Sequence, residues 1–520
     1  ATERVAFQRF TFPQGQEKHI LFNIGNRQGE SGAVKDAYVV YNQDGTVEGW
    51  VITEPEYVKK YQPGAVVPLY FSAVLDKEPL DYGAYNGNVQ QSGVRESKGV
   101  GAGMYFSFAS ENQEIVTAKI GLSYTSVENA RLNLQQEASD LDFDRAKERA
   151  QATWEDYLGR IRVETECRED KVKFYTGLYH ALLGRGLASD VNGAYPRNDG
   201  SVGQLPMKEG TPLYNIYNTD AAWGAQWNLS QLWILAYPEY MSEYISSHLQ
   251  AYKDAGWLAD GLANNRYVSG VGTNLLSTII AGAYECGIRD FDTKKAYEAC
   301  LKNELEGKNR PFGAGKVNTT EFVKYGYVPH QDTGEGYHET FMFSASHTLE
   351  YSYSAWAVAQ WAKQLGDEAH YSQLMDLSKG WERLYDSSCN FIRPKKADGK
   401  FVDNFDPMQV WRGFQEGNAW QYTFYVPHDV KSLVAKMGAD GSFLGLGTLT
   451  LGYTFPQNLT RKFGVRNLRL YATGSNLLCI TGYSGQDPEV NTSSNKMVMG
   501  FDYSAYPKSR SYIVGVNVTF

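Results

Sequence analysis

Along residues 1–125, short apolar runs are separated by turn residues. The runs "RFTFPQGQEKHILFNIG", "DAYVVYNQDGTVEGWVIT", "AVVPLYFSAVLD", "GAGMYFSFAS" and "IVTAKIGLSYTS" are β-branched and aromatic, and "NQDG" at 42–45 signals a hairpin. Strands at this spacing predict a β-sandwich. Residues 126–165 form a polar linker that becomes an amphipathic helix, with Ala146, Ala150, Trp154, Tyr157 and Leu158 near helical spacing. From 166 to 437 the pattern is mainly helical, with helices predicted over 169–188, 219–236, 239–256, 273–287, 292–306, 343–365, 369–386 and 429–437. Helices of similar length with short connections suggest hairpins wound into a toroid. Over 443–520 the period changes to two: Leu449, Leu451, Tyr453 and Phe455 alternate with Thr448, Thr450, Gly452 and Thr454. "RNLRLYATGSNLL" and "YIVGVNVTF" alternate likewise, at about the 9–11 residues that cross a bilayer in a barrel.

Composition narrows the function. The chain has 520 residues, 42% hydrophobic and 21% charged, which is globular and long enough for two or three domains. A net charge of −9 without a basic run excludes nucleic acid as an expected partner. The 37 Tyr and 11 Trp suit stacking on sugar rings as well as large aromatic cores. Cys167, Cys286, Cys300, Cys389 and Cys479 are scattered without a CxxC pair, so neither a zinc site nor a disulfide framework is expected. No run is apolar enough for a transmembrane helix. The opening "ATERVAFQRF" reads as the middle of a strand, so a truncated or processed N-terminus is expected.

The densest polar-aromatic cluster is "FDPMQVWRGFQEGNAWQYTFYVPHD" at 405–429. A carboxylate set among tryptophans can be held protonated near neutral pH, because apolar neighbours penalise the ionised form. Glu416 is the candidate general acid, although the same residue fits a helix-start carboxylate stabilised by the helix dipole.

The segments "EGNAWQYTFYVPHDV" (416–430), "TLEYSYSAWAVAQWAKQLG" (348–366), "AGAYECGIRDFDTKKAYEA" (281–299), "KYGYVPHQ" (324–331), "YNTDAAWGAQW" (217–227) and "ARLNLQQE" (130–137) resemble glycoside hydrolase family 92, the calcium-dependent exo-α-mannosidases. The resemblance covers 1–437 and implies a β-sandwich followed by an (α/α)6 toroid. It gives Glu416 the role of catalytic acid in an inverting single displacement, with α-1,2-linked mannose of glycans as substrate. Asp220, Trp223, Trp411, Asn418 and Trp420 are the implied substrate-binding residues, with core packing an equally good account of the tryptophans. Residues 443–520 resemble the last strands of SusC-like TonB-dependent outer-membrane receptors, through "TLTLGYTFP", "NLRLYATGSNLLCITGYSGQDPEVN" and a terminal "DYSAYPKSRSYIVGVNVTF" ending in Phe520.

The expected fold class is therefore α+β multidomain. A β-sandwich (1–125) and a helical linker (126–165) precede an incomplete (α/α)6 toroid (166–437) and a short antiparallel β tail (443–520). Calcium is expected from the family, but its GNEPSHH-like ligand segment and the GNDDCGQMSAW-like segment of the general base do not occur, so the metal ligands are unknown. The family's Trp-Asp pair reads Trp223-Gly224, and its acidic pair after "TLEY" reads Ser354-Ala355. Activity lost through truncation is one expectation. The alternatives are an inactive mannoside-binding protein and an outer-membrane receptor fragment. The resemblance implies the periplasm or cell surface of a Bacteroidetes-type bacterium, with membrane association only through the tail.

Overall fold

The structure, a computed structural model, describes residues 1–29, 32–109, 114–183, 186–217, 221–332, 339–437, 443–481 and 509–519. The chain divides into two compact units, Ala1–Thr320 with Ser354–Met375, and Glu321–Tyr353 with Asp376–Phe520.

The first unit opens with ten strands: β1 (Val5–Phe12), β2 (Lys18–Asn23), β3 (Ala33–Tyr41), β4 (Thr46–Glu54), β5 (Val67–Leu75), β6 (Asp81–Asn86), β7 (Val89–Ser92), β8 (Glu96–Lys98), β9 (Ala102–Phe108) and β10 (Glu114–Ser123). They form a six-stranded sheet, β1-β10-β5-β4-β3-β8, and a four-stranded sheet, β2-β9-β6-β7. In β2, Ile20 and Phe22 turn inward to meet Val39, Val47, Phe71, Met104 and Phe106, so the period-two pattern builds one core between the sheets. The NQDG hairpin is present: Asn42 N–H donates to the Thr46 carbonyl (2.8 Å), and Asp44 accepts from the Thr46 amide (3.0 Å) and hydroxyl (2.7 Å). The expected strands omit β6, β7 and β8: "DYGAYNGNVQQSG", which holds β6 and β7, is rich in glycine and amides, β7 is exposed throughout, and β8 is only three polar residues.

The linker is two helices, α1 (Val127–Ala138) and α2 (Phe143–Gly159), each N-capped by a side chain: Ser126 accepts from Asn129 N, and Asp142 from Arg145 N. A bidentate ion pair fastens α1 to the sandwich, where Arg131 Nε and Nη2 donate to buried Glu48 at 2.8 and 2.7 Å. Buried Asp190 completes the junction by accepting from Ser123 (2.9 Å), Thr125 (2.5 Å) and Asn133 (2.7 Å).

The helical part of the first unit holds α3 (Arg168–Leu182), α4 (Ala222–Gln226), α5 (Leu229–Ala236), α6 (Pro238–Ala255), α7 (Leu275–Glu285) and α8 (Thr293–Leu305). The expected helix 219–236 is split, because Asn228 takes φ −157° and caps a new helix. Between α6 and α7, Gly261–Ala263 pairs with Arg266–Val268 across Asn264 and Asn265 at φ 48° and 60°, the backbone of a tight I′-type hairpin. Beneath it lies a buried polar core. Asp260 accepts from Ser269 (2.7 Å), Thr273 (2.6 Å) and Gly272 N (3.1 Å), and burial raises its pKa to about 6. Wholly buried Lys316 pairs with Glu304, which also accepts from Asn274 and Ser354.

The second unit contributes α9 (Glu339–Met342) and the start of α10 (Ser344–Leu365), whose residues from Ser354 onward belong to the first unit. After α11 (Glu368–Leu377) come α12 (Gly380–Leu384), α13 (Ala419–Tyr422) and α14 (Val430–Met437). The expected helix 369–386 breaks before Gly380, where a Cβ would lie 2.7 Å from the Gly326 carbonyl and 2.8 Å from Ser352 Oγ. The tail is a three-stranded antiparallel sheet of Phe443–Thr454, Asn467–Thr481 and Ser511–Thr519, the middle strand central. Its register, Leu451↔Ala472↔Val514 and Tyr453↔Leu470↔Val516, gathers these apolar side chains on one face and places Thr450, Arg469, Thr473 and Asn517 on the other together with Tyr471 and Ile513. Leu451, Tyr453, Val514 and Val516 are exposed. Phe520 and Asp220 lie outside the described residues.

The fold makes one acid-sensitive prediction. His248 on α6 is fully buried, neither ring nitrogen has a hydrogen-bond partner among the described residues, and burial lowers its pKa from 6.5 to about 3. Only the unfolded chain takes up this proton, so stability is full above pH 6.5 and falls as pH drops from there toward 3. At pH 5 the loss is about 2 kcal/mol. In His248→Leu, the difference between urea midpoints at pH 7.5 and pH 5 should shrink accordingly.

Candidate active site

The loop before α13 is stitched to the start of α10. A helix N-terminus leaves its first N–H groups without intrahelical partners. Here the Gly413 carbonyl accepts from Ala345 N (2.9 Å) and Ser346 N (3.0 Å), while Gly413 N donates to the Met342 carbonyl (2.6 Å). The next register is held by Gln415 N donating to Ser346 Oγ (3.1 Å). Gly413 has φ +89°, and a Cβ there would overlap the Pro394 ring, so only glycine fits. Trp411 N donates to the Gly417 carbonyl (3.1 Å) and closes the loop on itself.

Two non-glycine residues of this closed loop, Trp411 (φ +69°) and Glu416 (φ +55°), take left-handed backbone. For a bulky residue this costs on the order of 1–3 kcal/mol and persists only where surrounding bonds over-determine it. Glu416 is exposed. The apolar enclosure anticipated for it is not formed by the two tryptophans, because each ring packs elsewhere: Trp411 lies 5.7 Å from Phe343, and Trp420 lies 4.9 Å edge-on to Phe391. Both tryptophans remain partly exposed, at 40% and 38%.

Asn418 is buried, and its side chain is engaged in folding. Its Oδ1 accepts from Gln421 N (3.2 Å), the Gln421 side chain returns to Asn418 N (3.1 Å), and Nδ2 donates to the Met408 carbonyl (3.4 Å). This is a capping box that starts α13 two residues after the candidate acid. Trp223 lies in α4 of the first unit, where its indole packs on Gly270; a Cβ at Gly270 would come within 2.9 Å of the ring.

Around the loop are residues that the sequence reading did not select. Tyr422 donates to the Gln415 carbonyl (2.8 Å), and its pKa is raised by burial and by the charges of Glu350 and Glu416. Tyr425 donates to buried Glu350 at 3.2 Å. Arg412 grips Asp332 through Nε (2.7 Å) and Nη2 (3.2 Å), and His330 Nε2 lies 3.0 Å from the same carboxylate. The Arg412 contact leads in holding Asp332 at about 2. Ser346 and Glu350 are four apart on α10, so helical spacing could have placed them on one face. Nothing local in the sequence signals the Asp332–Arg412 pair, which joins positions eighty apart.

Calcium binds six to eight oxygen ligands, usually with several carboxylates. Among the described residues no three His, Cys, Asp or Glu side chains converge, so they do not supply such a cage and no step is assigned to the metal.

Comparison with known proteins places the chain among the glycosyl hydrolases. Residues 1–123 match the family 92 N-terminal domain and residues 129–472 the family 92 catalytic domain. The chain belongs to glycosyl hydrolase family 92. The catalytic-domain match runs into the tail strands. The chain is 26% identical over 415 residues to an uncharacterized secreted glycosidase of Arthroderma benhamiae, covering 71% of this chain and 47% of that protein. It is also 36% identical over 95 residues to TonB-dependent receptor P3 of Formosa agariphila, covering 17% of this chain and 10% of the receptor. Among solved structures, the family GH92 α-mannosidase BT3965 from Bacteroides thetaiotaomicron aligns with a TM-score of 0.74 at 23% identity, over 84% of this chain and 56% of that one. The inverting mannosidase BT2199 of the same organism gives 0.73 at 23% identity, with the same coverage. These likenesses show the fold, a β-sandwich with an α/α helical domain. The chain spans about half the length of these relatives, 47% of the glycosidase and 56% of the mannosidases.

The loop makes a stability prediction. Gly413→Ala should cost on the order of 3 kcal/mol through overlap and backbone strain. Asn418→Ala should cost about 1 kcal/mol through the lost cap. Chemical unfolding of the two variants should rank them in that order.

Proposed function

We propose that the chain is an exo-acting α-mannosidase that cleaves α-1,2-linked mannose from glycans by inverting single displacement, with Glu416 as the general acid. The observation that carries this reading is the closed, clasped loop, which holds Glu416 solvent-accessible on a left-handed backbone in a segment that also carries the partly exposed Trp411 and Trp420. A carboxylic acid so placed can protonate a leaving sugar oxygen, and partly exposed indoles can flank a sugar ring. Inversion needs a second carboxylate about 6.5–9.5 Å across the sugar to activate water. Among the solved relatives, an inverting mannosidase and an α-mannosidase with mannoimidazole bound support the substrate class. The secreted relative supports a site of action outside the cytoplasm, in the periplasm or at the cell surface. The exposed apolar face of the tail supports membrane association through those strands.

One observation favours a second reading, a mannoside-binding protein without turnover. Glu350, the other carboxylate acting on Tyr422, is buried and bonded to Tyr425, which leaves it poorly placed to activate a water.

Leaving-group dependence separates the readings. Glu416→Gln should slow mannose release from α-1,2-mannobiose by about 10²–10⁴-fold. It should slow hydrolysis of a dinitrophenyl α-mannoside far less, because that leaving group departs without a proton. Equal losses on both substrates would remove Glu416 from the acid role. No release by the parent chain, with calcium or with a chelator, would favour binding without turnover.

A further inference from the structure

The first unit contains a cavity of about 680 Å³ that includes neither Trp223 nor any residue of the Glu416 loop. Its size falls within the range of small-ligand sites, roughly 300–1,000 Å³. Trp154, Tyr157 and Tyr240 are its half-buried aromatic walls, above the wholly buried Trp233 and Tyr237. These rings are fixed in place. Tyr157 stacks on Tyr237 at 5.9 Å, and the Arg160 guanidinium lies 4.7 and 5.1 Å from the two ring centres. Tyr240 meets Trp233 edge-on at 5.0 Å.

The polar side is equally organised. Glu243 accepts from Asn215 N (2.7 Å), Asn215 Nδ2 (2.8 Å) and Tyr217 OH (2.7 Å). Glu137 accepts from Arg4 N (2.9 Å) and Nη1 (2.8 Å), and Arg4 Nη2 donates to Asn215 Oδ1 (2.8 Å). Each carboxylate is thus already offset by donors, which disfavours a cationic ligand. An anion would face three carboxylates, Glu3, Glu137 and Glu243, against the single guanidinium of Arg149 in the lining, and a purely apolar ligand would leave the carboxylates' remaining lone pairs without water. The chemistry that fits is a neutral polyhydroxylated ring, with C–H faces for the aromatics and hydroxyls for the fixed acceptors.

We propose that this cavity is a second, non-catalytic saccharide site that holds a neutral hexose of a glycan against Trp154 and Tyr240. The proposal rests on the glycan-directed reading of the chain and adds a second point of attachment to it.

Calorimetric titration of the full chain with methyl α-mannoside tests it, with choline and phosphate as probes of the rejected classes. Trp154→Ala removes a wall, and Ala150→Trp fills the cavity from a half-buried helix position. Saturable hexoside binding should weaken at least tenfold in both variants and persist in Tyr57→Ala, an exposed position outside the cavity and the Glu416 loop. Absence of saturable binding, binding indifferent to both cavity variants, or a preference for choline or phosphate would overturn the proposal. Mannose release is read separately. Turnover without cavity binding sinks this site and leaves the mannosidase reading, whereas cavity binding without turnover sinks the mannosidase reading alone.

Discussion

The candidate site depends on one backbone carbonyl. Gly413 O accepts from the first two amides of α10, Ala345 and Ser346, and satisfies donors that a helix start cannot pair internally. That pairing fixes where the loop crosses the helix. The crossing in turn imposes left-handed backbone on Trp411 and Glu416, a conformation neither residue would choose. Strain held by such a clasp fixes the backbone direction from which the Glu416 side chain leaves the loop. The capping box at Asn418 fixes the other end of the segment, so Glu416 lies between two local structures that are each satisfied in their own hydrogen bonds.

The first unit is joined by polar contacts of a different kind. Glu48 and Asp190 are buried carboxylates, one met by Arg131 and the other by hydroxyl and amide donors. Such groups are costly to bury alone and costly to disrupt once paired. They tie the first linker helix, α1, and the loop after α3 to the sandwich at the strand-to-helix transition near residue 125. The Lys316–Glu304 pair does the same for the loops after α8.

What could be read from the sequence follows from the range of the interactions involved. The NQDG hairpin and the alternating strands of the sandwich are local patterns, and they are present as expected. The long helices α6, α7, α8 and α10 lie within about two residues of the predicted spans at each end. The breaks at Asn228 and Gly380 were not legible: the first is a backbone turn with no strong breaker, and the second is imposed by Gly326 and Ser352, distant in sequence. The family could be read from short motifs. The environment of the candidate acid could not, because tryptophans adjacent in sequence turn toward Phe343 and Phe391 instead of around Glu416. In the tail, alternation foretold the apolar row of Leu451, Tyr453, Leu470, Val514 and Val516, since register in an antiparallel sheet carries the pattern from strand to strand; Tyr471 and Ile513 fall on the opposite face.

The Gly413 carbonyl anchors the loop that carries Glu416 to the start of α10. Residue-resolved amide hydrogen exchange on the native chain measures this anchoring directly. The amides of Ala345 and Ser346 should be protected as strongly as the interior of α10, because their acceptor belongs to a distant and closed loop. Exchange at the fast rate of a frayed helix end at both positions, with the helix interior still protected, would show that the clasp does not hold in solution and would contradict the account.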